Sequence, residues 1–136
     1  MANIETISEA LELLKEGDNL KPVPQNHEIK ETKKFQRQRK KLDLTDEDIE
    51  ELKEKVKRYK PEGPLGSEIF KFRWAPDKWN MGKRGALRVI YLSVLVDKET
   101  YFMELYQKNK QETLTDEQEK EIKKLAKKIK NGEEIQ

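Results

Sequence analysis

Six basic side chains between Lys71 and Tyr91 are the groups in this chain best placed to do chemistry. They are Lys71, Arg73, Lys78, Lys83, Arg84 and Arg88, opposed over that stretch only by Asp77. A guanidinium stays charged and offers two parallel donors to a phosphate, and basic blocks in one small domain raise the local concentration of polyanions. A second basic block runs from His27 to Leu42, with Lys30, Lys33, Lys34, Arg37, Arg39, Lys40 and Lys41 against Glu28 and Glu31. The overall net charge of +2 hides this patterning. The plain alternative is a solvated surface, with Arg73 and Arg88 as ordinary strand residues paired with glutamates and Lys83 and Arg84 as a soluble loop tip.

Other chemistries are poorly served. The chain has no cysteine, so neither disulfides nor thiolate catalysis is available. Its single histidine, His27, stands at the edge of a linker and is not assigned catalysis. No histidine–carboxylate cluster suggests a metal, and no cofactor is expected. No apolar run approaches membrane-spanning length, and the N-terminus lacks a secretory pattern, so the expected compartment is the cytoplasm. With 136 residues the chain has room for one ordinary domain, and its 41% charged residues place it near the polar edge of the globular range.

The elements that must position these side chains follow from periodicity. Ile4, Ile7, Leu11 and Leu14 predict a short acidic helix over 4–16, and Pro22 and Pro24 mark 18–26 as a linker. Glu28 to Lys34 is a candidate strand, and Phe35 to Leu42 a basic helix. Thr45, with Asp48 three residues on, opens a helix whose buried stripe is Ile49, Leu52, Val56 and Tyr59. Pro61, Gly63, Pro64 and Gly66 break it. Ile69 to Trp74 alternates, with Phe70, Phe72 and Trp74 on one face and Ile69, Lys71 and Arg73 on the other. A glycine-bearing loop, a β-branched run over Leu87 to Val96, and a returning strand over Thr100 to Gln107 complete a sheet. Thr115 and Gln118 cap a last helix with the stripe Ile122, Leu125 and Ile129, stopped at Gly132. The expected fold is α+β, a small antiparallel sheet with a mixed edge, packed by a helical pair and a C-terminal helix. Residues 1–26 are read as an acidic helix plus linker, and 27–136 as the main domain.

Three of these stretches resemble the RelE/HigB family of small bacterial toxins. Ile69-Phe-Lys-Phe-Arg73 is similar to their LRKLR-like strand, and Gly82-Lys-Arg-Gly-Ala-Leu-Arg-Val-Ile-Tyr91 resembles their GKRGG-RVIYY signature. The segment from Glu104 to Thr115 is similar to the one that leads into their final helix. The resemblance covers roughly 28–130. It implies a ribosome-dependent endoribonuclease that cuts mRNA in the A site, with mRNA, the ribosome and a cognate antitoxin, expected to be of helix-turn-helix type, as partners. It implies Arg73 and Arg88 as phosphate holders, Lys71 as a source of positive field, and Tyr106 as a residue that stacks on a base or orients the RNA. Lys83, Arg84, Lys108 and Lys110 would bind RNA around them. Tyr106 could equally be a core residue with an exposed hydroxyl. One departure is Phe70, where family strands often carry a basic residue. The alternative is a catalytically weak or inactive module of the same fold that binds RNA, the ribosome or an acidic protein.

Overall fold

Five strands order as β1-β5-β4-β3-β2 in a computed structural model that describes residues 20–79 and 86–132. The helix expected over 4–16, and Lys83 and Arg84, lie outside the described residues. Strand β1 (Glu28–Glu31) runs parallel to β5 (Glu99–Gln107), which makes the sheet mixed as the sequence predicts. Strands β2 (Gly63–Gly66), β3 (Ile69–Trp74) and β4 (Leu87–Val94) join by antiparallel pairing.

Thr32 ends β1 and begins α1 (Lys33–Lys41). Its hydroxyl accepts from the Phe35 N–H at 3.2 Å and donates to the Phe102 carbonyl at 3.1 Å, so one side chain caps the helix and ties it to β5. The first strand is therefore shorter than the expected 28–34. Helix α2 (Asp46–Arg58) opens with the full capping box of Thr45 and Asp48, and α3 (Asp116–Lys130) with that of Thr115 and Gln118. Gly132 follows α3 at a φ of 72°, a left-handed conformation that glycine adopts without Cβ strain.

The two faces of the sheet carry different cores. On one, Phe72, Trp74, Val89, Tyr91 and Phe102 pack with Phe35 of α1 and Ile49, Leu52 and Val56 of α2. On the other, Ile69, Ile90, Leu92, Met103 and Tyr106 pack with Ile122, Ala126 and Ile129 of α3. Alternation along β3 accounts for the division, because successive side chains leave opposite faces. A bulge between Ile90 and Tyr91 shifts the β4–β5 register by one residue. Beyond it Glu104 is fully buried; its Oε1 accepts from Gln38 of α1 at 3.1 Å and Gln118 of α3 at 3.2 Å. Lys34 Nζ lies 3.1 Å from the other oxygen, within ion-pair reach but outside hydrogen-bonding geometry.

Two expectations are corrected. Tyr59 does not join the α2 stripe. It is the C-cap, with extended backbone, and its side chain is 54% exposed. The segment 63–66, read as a helix breaker, also forms the edge strand β2. Pro64 and two glycines are tolerated there because an edge strand needs only one side of its ladder.

Candidate functional site

Pleat and register bring the sequence-predicted residues into one row. Arg73 of β3 is the direct cross-strand partner of Arg88 of β4, and Arg88 that of Tyr106 of β5. Direct partners share a face, so the three side chains leave the sheet on the α3 side. Lys71, two residues before Arg73 on β3, joins that face.

Their environments differ. Arg88 is 4% exposed, and its Nε donates to Glu62 Oε2 at 2.9 Å. Glu62 stands immediately before β2 and is held by its own N–H, which donates to the Lys71 carbonyl at 2.7 Å. Arg73 is exposed. It lines a hollow of about 520 Å³ with Tyr59, Lys60 and Trp74. A second, strongly polar cleft of about 350 Å³ is lined by Lys71, Arg88, Lys108, Glu62 and Glu112. Glu62 borders both hollows.

Tyr106 is 6% exposed, and its ring packs in the α3-side core with Ile90 and Leu114. Its hydroxyl is buried and has no hydrogen-bond partner among the described residues. An unmatched buried hydroxyl costs roughly 1–3 kcal/mol, so it is an unusual feature for a purely structural residue. Burial raises its pKa above the usual phenol value; Arg88 opposes this and the Glu62 and Glu104 carboxylates add to it. The hydroxyl therefore keeps its proton well above neutral pH.

Lys110 lies in the turn after β5, where its N–H donates to the Gln107 carbonyl, and its side chain is exposed. It does not line the polar cleft, whereas Lys108 does. Phe70 leaves the sheet on the face opposite Arg88 and packs on Tyr91, with ring centroids 5.6 Å apart. It is therefore set apart from the arginine row. His27, the residue just before β1, is buried, with Nδ1 2.9 Å from the Thr100 hydroxyl of β5, and it lines neither hollow. Among the described residues no group of acidic, histidine or cysteine side chains could hold a metal ion.

Glu62 is the residue that sequence reasoning missed. Glutamates are abundant here, and nothing local marks this one. It reaches Arg88 only because β2 folds back along β3. Chemically, the row with its flanking lysines offers a charged fork for a phosphate and a carboxylate already seated on that fork, while the Tyr106 hydroxyl is buried and lines neither hollow.

The sequence model of one family, described as RelE toxin of RelE / RelB toxin-antitoxin system, matches residues 27–136. No curated protein matches the chain.

Proposed function

The chain belongs to the RelE toxin family, in which a toxin is paired with a cognate antitoxin, and from that premise we propose that it is a ribosome-dependent endoribonuclease. The proposed substrate is mRNA in the ribosomal A site. In the proposed reaction a ribose 2′-oxygen attacks the adjacent phosphorus while the bond to the 5′-oxygen breaks. The products carry a 2′,3′-cyclic phosphate and a 5′-hydroxyl. The attacking hydroxyl loses a proton, the departing oxygen gains one, and the crowded phosphorane between them carries extra negative charge.

The observation that supports this reading best is the cross-strand row Arg73–Arg88–Tyr106 beside the cleft of Lys71 and Lys108. Arg73, Arg88 and Lys71 would compensate the phosphorane. The Tyr106 hydroxyl, which burial keeps protonated, would orient the phosphate or donate to the departing oxygen. Lys108 and Lys110, with Lys83 and Arg84, would hold the flanking RNA. The antitoxin is proposed to be of the helix-turn-helix type.

A second reading is a module that occupies ribosome or RNA without cutting. The ion pair between Arg88 and Glu62 and the packed Tyr106 ring favour it, since both hold the row in a non-substrate arrangement. Primer extension on an mRNA undergoing translation decides between them. Codon-phased cuts with the wild-type chain, lost with Arg73→Ala, support the nuclease. Growth arrest without such cuts favours the binding module.

A further inference from the structure

The sheet face away from Arg88 carries an apolar groove of about 390 Å³. It is lined by Leu20, Pro22 and Val23 on one side and Phe70, Tyr91 and Leu95 on the other. The described chain begins at this groove, because Leu20 is both its first residue and part of the lining. The segment 20–25 is pinned there. The Val23 N–H donates to the Val56 carbonyl at 2.8 Å, and Gln25 Nε2 to the Lys57 carbonyl at 3.2 Å. Next to the groove the β4–β5 turn presents Leu95 and Val96, 64% and 89% exposed. The apolar lining of the groove thus continues through Leu95 onto an exposed apolar turn.

We propose that residues 4–16 of the same chain are the occupant, docked through Ile4, Ile7, Leu11 and Leu14. Three observations converge on them. First, Glu16 is only four residues from Leu20, so the tether spans at most ~14 Å and holds the stripe at high effective concentration beside the groove. Second, a helix this short is marginal in water unless its apolar face is covered. Third, an apolar cavity of roughly 150 Å³ accepts a benzene-sized group, so this groove has room for two or more aliphatic side chains. Docked there, the acidic segment extends the core that α1 and α2 share with the sheet. Phe70 and Tyr91 sit three residues along the strands from Arg73 and Arg88, about 10 Å away, and on the opposite face. The segment therefore completes the fold and leaves the Lys71–Arg88 cleft open to its ligand.

The chain has no cysteine, so introduced pairs report contacts without background. Ser8 lies four residues from Ile4 and three from Leu11, and Ala10 three from Ile7 and four from Leu14, so at helical spacing they flank the stripe on its two sides. Ser8→Cys and Ala10→Cys are each combined with Val96→Cys in the full chain, then with Lys128→Cys on the exposed side of α3 as the control. Mild oxidation is expected to lock at least one Val96 pair as a monomeric disulfide and neither Lys128 pair. Adding Leu11→Asp is expected to reduce that lock at least several-fold. Disulfides formed only between two chains would assign the groove to a second copy and overturn the proposal. So would equal locking to Lys128, or none to Val96.

Discussion

Arg73 and Arg88 stand directly opposite each other across β3 and β4, two like charges in adjacent positions of one sheet face. Such a pairing is normally unfavourable by ~0.2–1 kcal/mol. Glu62 offsets part of it by accepting from Arg88 Nε at 2.9 Å. The two arginines therefore differ in what their removal does.

Arg73→Ala is expected to lower mRNA cleavage roughly 10²-fold, by analogy with the loss of one transition-state donor. It should change stability by no more than about 1 kcal/mol, since exposed polar contacts contribute little. Arg88→Ala should lower cleavage similarly but also destabilise the fold by roughly 1–3 kcal/mol, because it removes a nearly fully buried side chain together with its packing. Thermal melts beside cleavage assays check both. Equal melting of the two variants would refute the difference.

Glu62→Gln weakens the hold on Arg88 and leaves its fork more available. A lower Kd for a short single-stranded RNA, with a slightly reduced Tm, is the expected outcome. Weaker RNA binding would mean that Glu62 orients Arg88 for the ligand instead of competing with it.

Tyr106→Phe removes a buried hydroxyl that has no partner among the described residues. Stability should be unchanged or slightly higher, because no hydrogen bond is lost and a desolvation cost disappears. Cleavage should nevertheless fall. Full activity in a variant of unchanged Tm would remove the hydroxyl from the mechanism.

His27 supplies a pH signature of stability separate from the arginine row. Burial, with the nearby Lys57 charge, depresses its pKa below the ordinary 6.5. Below pH 6.5 the unfolded chain binds this proton while the folded chain resists it, so its contribution is present above 6.5 and is lost as pH falls through the folded value. Chemical denaturation is expected to show stability dropping just below pH 6.5. His27→Asn, which keeps a polar atom near Nδ1, should flatten that drop. An unaltered profile in the variant would place the titration elsewhere.

RNA association should weaken steeply with salt, with log K falling linearly in log salt concentration as counterions are released. Lys108→Ala should reduce the slope by somewhat less than one unit, as the loss of one phosphate contact. A flat dependence between low and moderate salt would indicate a protein partner for the basic surface.

What the sequence alone determined is what depends on neighbours three or four residues away. The capping boxes at Thr45 and Thr115 need only a hydroxyl and an acceptor at a fixed spacing, and both form. The alternation of Ile69 to Trp74 likewise decided which side chains face the helical pair and which face α3, because the pleat alone sets that period. The family motifs near Lys71, Arg88 and Tyr106 were legible for the same reason, being contiguous stretches. Tertiary structure alone decided the rest. Glu62 meets Arg88 across 26 positions, through an edge strand built from residues that locally disfavour strands. Whether Arg73 opposes Arg88 depends on register, and a slip of one residue would send the two to opposite faces. Tyr59 continues a helical spacing yet turns outward, because the chain becomes extended at that residue. The burial that keeps the Tyr106 hydroxyl protonated comes from α3 packing against β5, long-range contacts that no local pattern records.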